Sequence, residues 1–127
     1  MDEGAVDASA LLAAILGEPG AEVVGALIGR AMISTVNLAE VVTKLTERGI
    51  PGAEVRQLVN EFRLAVVPLD DDQAYTAGFL RTATRHLGLS LGDRACLALG
   101  IARSVPVITA ERRWNQLDLP VDVILIR

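Results

Sequence analysis

Five short β-prone runs punctuate this chain: Ala5-Val6, the segment around Ala31 to Ile33, AVVPL from Ala65, VPVIT from Val105 and VDVILI from Val121. Helical stretches fill the gaps, long between the first four runs and short before the last. Strands that alternate with helices imply βαβ units, and such units close only as a central parallel sheet with helices on both faces. The expected fold is therefore α/β, a three-layer α/β/α sandwich. No repeat, low-complexity tract or compositional break divides the 127 residues, so one domain over 1–127 is expected.

The helices carry their own punctuation. Asp7 or Ser9 can cap a first helix that Gly17 ends, and Pro19 opens a second one over GAEVVGALIGRA. Leu38, Val41, Val42 and Leu45 recur at helical spacing, and Gly49 to Gly52 separates them from another helix with Val55, Leu58, Val59 and Phe62 on one side. Asp70, Asp71 and Asp72 head a long helix expected to run through His86, and Leu91 to Arg103 forms the next.

Composition removes several function classes. Half the residues (51%) are hydrophobic, yet no uninterrupted apolar run approaches the roughly 20 residues that a membrane span needs. The acidic N-terminus lacks the basic head of a secretory signal, so a cytoplasmic protein with no membrane partner is expected. The single Cys96 excludes an internal disulfide and a cysteine-based zinc site, and fits a buried free thiol in a reducing compartment. With one histidine, His86, any metal must be held by oxygen. A net charge of −4 argues against a protein that coats nucleic acid, although eleven of the twelve basic residues are Arg and suit bidentate phosphate contacts.

Ligands of parallel α/β sheets bind beyond the carboxyl ends of the strands, and four acids fall there. Asp7 follows the first strand, Glu40 lies early in the helix after the second, Asp93 is in the first turn of its helix, and Glu111 follows VPVIT by two residues. Each has an ordinary alternative use. Asp7 can cap a helix, Glu40 can pair with Lys44, Glu111 can start a short helix, and Ser90-Leu-Gly-Asp93 has capping-box spacing. Cys96, Leu97 and Gly100 stack on the same helical face as Asp93, which predicts that its carboxylate points into packed, apolar surroundings. Converging carboxylates repel unless a cation compensates. Mg²⁺ or Mn²⁺ fits an oxygen-only set, and such ions support phosphodiester cleavage by an activated water.

AVDASALL, STVNLAEVV, LSLGDRACLALG and VPVITAERRW, in this order and at this spacing, resemble the PIN domains, specifically the toxin nucleases of VapBC toxin–antitoxin pairs. The likeness covers almost the whole chain, and the combination is specific although each block alone is weak. It implies a PIN-like α/β/α sandwich, an endoribonuclease that uses Mg²⁺ or Mn²⁺, inhibition by a cognate antitoxin, and a homodimer. Carried onto this sequence, it makes Asp7, Glu40 and Asp93 the metal-binding and catalytic acids. It adds Glu111 as a fourth catalytic acid, outside the metal set, at a position where the family more often has Asp. Ser9 and Thr109 are the hydroxyls beside those acids, and Asn37 precedes Glu40 by nearly one helical turn. The first strand is shorter than is usual in these toxins.

Arg112 and Arg113, next to Glu111, are candidates for contact with RNA phosphates. Trp114 suits the core or a partner interface better than base stacking, and His86 suits the surface. Two further readings compete. A phosphoryl-transfer domain would need a late Lys or a second acid after Asp7, but the only Lys is Lys44 and Asp7-Ala-Ser9 offers a hydroxyl. A PIN-like binding module without strong catalysis would keep the fold and tolerate Glu at 111.

Overall fold

The computed structural model describes residues 3–127; the acidic opening Met1-Asp2 lies outside them. Five strands form one sheet: β1 (Ala5–Val6), β2 (Met32–Ser34), β3 (Ala65–Val67), β4 (Val107–Thr109) and β5 (Val123–Leu125). Their spatial order is β3-β2-β1-β4-β5 and every pairing is parallel. The helices between them are α1 (Ala8–Leu16), α2 (Ala21–Gly25), α3 (Thr35–Glu47), α4 (Gly52–Asn60), α5 (Asp71–Thr84) and α6 (Leu91–Arg103), with 3-10 turns over Arg85–Leu87 and Arg112–Gln116.

Alternation along each strand divides the core into two layers. Val6, Ile33 and Ile108 face one side, where Leu11, Val24, Val41, Leu45 and Val55 of α1 to α4 cover them. Ala5, Met32 and Val107 face the other, packed against Leu80, Cys96, Leu97, Leu99 and Trp114. Helices thus cover both faces, as the alternation of runs predicts. Both sides of the central strands are dry, which explains why those strands read as unbroken apolar runs.

Local chemistry sets the helix ends. Asp7, rather than Ser9, caps α1, and Gly17 closes it in the left-handed region at φ 70°. Ser34 ends β2 and also caps α3, so strand passes to helix with no loop. The second helix is shorter than Pro19 and the apolar pattern predict: Gly20 takes its N-cap, and the chain leaves the helix at Gly25 before reversing at Gly29. The long helix stops at Thr84, and Arg85–Leu87 tightens into a 3-10 turn before Gly88. No helix among the described residues is long and apolar enough to cross a membrane.

Candidate active site

From the central β1 the chain moves through β2 to β3 on one side, then returns to add β4 and β5 on the other. The strand order reverses between β1 and β4, which opens a crevice at their carboxyl ends. Asp7 leaves β1 there. Its backbone N–H still reaches the carbonyl of Ile108 at 3.0 Å, so the ladder fixes the Cα and the side chain turns up into the crevice.

Asp7 is 3% exposed, and its carboxylate is held by three donors. Oδ1 accepts the Ala10 N–H at 2.9 Å and the Ser9 hydroxyl at 2.8 Å, and Oδ2 accepts the Thr109 hydroxyl at 2.6 Å. Both hydroxyls are themselves oriented: Ser9 Oγ accepts the N–H of Ala110 and Thr109 Oγ1 that of Glu111, each at 3.0 Å. Even so, burial outweighs these donors, and with the negative charge of Asp93 it raises the Asp7 carboxyl from 3.8 to about 6.

Glu40 and Asp93 approach the same edge from α3 and α6. Asn37, 1% exposed, bridges the two helices: its Nδ2 donates to Glu40 Oε1 at 2.9 Å and to the Gly92 carbonyl at 3.0 Å. Its Oδ1 is buried without a partner. The negative charges of Asp7, Asp93 and Glu40 all bear on Cys96; after burial itself, they help push its thiol well above the usual range. Cys96 is the buried free thiol expected, lying beneath the crevice with Sγ 3.7 Å from the Ala5 carbonyl.

Asp93 departs from expectation. It is only half-buried, and its carboxylate turns back to accept the Ser90 N–H at 2.9 Å while Ser90 Oγ accepts the Asp93 N–H at 3.2 Å. This is a complete capping box. Helical spacing places the Asp93 Cα above Cys96 and Leu97, but in the first turn the N-cap amide lacks an intrahelical acceptor and draws the carboxylate backward. The deeply buried acid is Asp7. Arg94 does not neutralise the cluster, since its Nη1 donates to the Ala77 carbonyl of α5 at 2.9 Å.

Glu111 is exposed at the rim, and only its backbone N–H joins the network. Arg112 and Arg113 are exposed on the 3-10 turn that follows. Trp114, on that same turn, is 1% exposed and packed in the second core layer, so it presents no face for a base. His86 is on the surface as expected. Gly92 is the residue that sequence reasoning missed; its one signal is a glycine inside the first turn of an otherwise regular helix.

The donor set suits a hard divalent cation. The ion pairs among the described residues are Arg30–Glu3 and Arg127–Glu18, so no Lys or Arg neutralises Asp7, Glu40 or Asp93. No three acidic, histidine or cysteine side chains among the described residues stand close enough together to form a metal cage. The fit is therefore one of chemistry: an oxygen-only set without a cationic partner is the kind that Mg²⁺ and Mn²⁺ accept, taking one or two carboxylates directly and water in the remaining positions.

A parallel α/β sandwich with uncompensated carboxylates at its switch point is the class that this fold and site define. The chain belongs to the PIN domain family, whose model matches residues 5–119. No curated protein sequence matches it. Among solved structures it is similar in fold to the DNA-bound VapBC of Salmonella typhimurium, at TM-score 0.79 and 19% identity over 100% of both chains. It is similar also to a toxin–antitoxin complex from Klebsiella pneumoniae, at 0.71 and 18% identity over 94% of this chain and 98% of that one. A member of the VapBC toxin–antitoxin family from Mycobacterium tuberculosis matches at 0.62 and 24% identity, over 96% and 97%.

Proposed function

We propose that this PIN-domain protein is the toxin of a VapBC-type pair, an endoribonuclease dependent on Mg²⁺ or Mn²⁺ that a cognate antitoxin inhibits and that acts as a cytoplasmic homodimer. The observation that carries the reading is Asp7, buried at the switch point, facing the charge of Asp93 and lacking any cationic partner. Family membership supports a nuclease, and the toxin–antitoxin complexes among its structural neighbours support the pairing.

Asp7, Glu40 and Asp93 would hold the ion, directly or through water. Once bound, it supplies an activated water and offsets the charge that builds on the scissile phosphate. Ser9 and Thr109 keep both oxygens of Asp7 aimed into the crevice. Glu111 shapes the field at the rim, where Arg112 and Arg113 meet the phosphates flanking the cut.

The test is RNA cleavage by purified chain free of antitoxin. Cleavage should require Mg²⁺ or Mn²⁺, stop with chelator, and be lost in Asp7→Asn and Asp93→Asn variants whose circular dichroism is unchanged. A wild-type chain that cuts no RNA with either ion would refute the enzyme and leave a PIN-like binding module.

A further inference from the structure

The Glu40 carboxylate rests against α6 at the one position of its first turn that lacks a side chain. A Cβ on Gly92 would stand 2.5 Å from both Cδ and Oε2 of Glu40, well inside van der Waals contact. The same residue offers its carbonyl to Asn37, whose second amide proton goes to Glu40. Gly92 therefore acts twice, as an open seat and as an acceptor. The amide orientation of Asn37 follows from its partners: exchanging its oxygen and nitrogen would set an acceptor against a carboxylate and a carbonyl.

We propose that Asn37 and Gly92 are positioning residues, a lock between α3 and α6 that fixes the Glu40 carboxylate beside Asp93 and so sets the spacing of two acids on which the proposed metal site depends. Three observations converge on this lock. Asn37 is buried and commits both amide protons to it, at residues 3 and 55 positions away. Its Oδ1 is left buried without a partner, a cost that an apolar side chain at 37 would avoid. The atoms that a methyl at 92 would strike are the far end of a flexible side chain, so Gly92→Ala can move Glu40 without breaking the fold.

The lock rests on the metal-site reading for its purpose but is measurable without it. In metal-free wild type, NMR should show both Asn37 Nδ2 protons protected from solvent exchange. Gly92→Ala should release the one bound to Glu40. Titration with Mn²⁺ alone should then give about 10- to 100-fold weaker affinity in Gly92→Ala and Asn37→Ala, the range typical when partners that orient metal ligands are removed. Melting of Gly92→Ala should stay near wild type. Shortening the acid withdraws its carboxylate from the new methyl, so Glu40→Asp should restore part of the affinity in Gly92→Ala while weakening it in wild type. Affinities of both single variants within twofold of wild type would overturn the lock. If wild type bound no Mn²⁺, the metal site would fall, and the lock would be decided by exchange: loss of Asn37 protection in Gly92→Ala upholds it, and unchanged protection overturns it.

Discussion

The Thr109 hydroxyl donates to Asp7 Oδ2 at 2.6 Å, joining the carboxyl ends of β4 and β1 where the strand order reverses. It is the shortest of the bonds that Asp7 accepts from Thr109, Ser9 and Ala10. It also opposes the effect of burial on Asp7 more than any other group does. The carboxyl nevertheless settles at about 6. The fold holds this acid in place without keeping it fully charged, and a bound cation would supply what the hydrogen bonds do not.

Metal-free stability should therefore depend on the charge of Asp7. Its folded value, about 6, lies above the ordinary 3.8, so the fold favours the protonated acid. That contribution is complete below 3.8 and disappears as pH rises through about 6, a loss of up to about 3 kcal/mol. Asp7→Asn carries no charge at any pH. Urea unfolding in chelator should show the variant gaining on wild type between pH 4 and pH 7 by up to about 3 kcal/mol. A difference that stayed flat over that range would contradict the assignment.

Replacing Thr109 with Val keeps the shape and removes the donor. Asp7 should then titrate higher than about 6, because burial loses its largest opponent. The Glu111 N–H also loses its acceptor, and the protein should lose about 1–2 kcal/mol. Ser9→Ala should shift the titration less, since Ser9 opposes burial less than Thr109 does. Carboxyl-carbon NMR titration of the metal-free variants measures the order, and a larger shift in Ser9→Ala would reverse it.

How far the sequence reveals such a site depends on how far apart its partners lie along the chain. Strand alternation shows directly in residues such as Ala5 and Val6, which pack into opposite core layers. The edge where Asp7, Glu40 and Asp93 gather follows from the rule for parallel sheets. The depth of each acid does not follow. Asp7 owes its surroundings to Thr109, 102 residues away, and the bridge from Asn37 to Gly92 spans 55. Helical periodicity gave Asp93 an inward direction because it describes where a Cα faces, whereas a first-turn carboxylate answers to the free amides of its own N-terminus.

Asp93 consequently has two separable roles. Asparagine retains an oxygen that can accept the Ser90 N–H, so Asp93→Asn should keep the capping box and lose the charge; Asp93→Ala should lose both. The alanine variant should cost about 1 kcal/mol, and the asparagine variant clearly less. Both should abolish cleavage. Glu111→Gln should weaken Mn²⁺ binding far less than Asp93→Asn, because Glu111 is exposed and joins the network only through its backbone. Calorimetry with Mn²⁺ and thermal melting of the three variants check this ordering. Equal effects of Glu111→Gln and Asp93→Asn on affinity would make the rim acid a full ligand.

Trp114 sits one residue after the Arg112-Arg113 pair but works in a different part of the molecule. It is 1% exposed, packed in the core layer that holds Leu97, Leu99 and Val107. Truncating so large a buried side chain leaves a cavity that the sheet and α6 can fill only in part, so Trp114→Ala should cost about 3–5 kcal/mol. The arginines are exposed and make no ion pair with an acid among the described residues. Arg112→Ala and Arg113→Ala should therefore leave melting nearly unchanged while weakening RNA binding in a salt-dependent way. Folded Trp114→Phe, which keeps most of the packing, should bind RNA like wild type. Selective loss of RNA binding in that variant, with melting preserved, would mean that the ring leaves the core to meet a base.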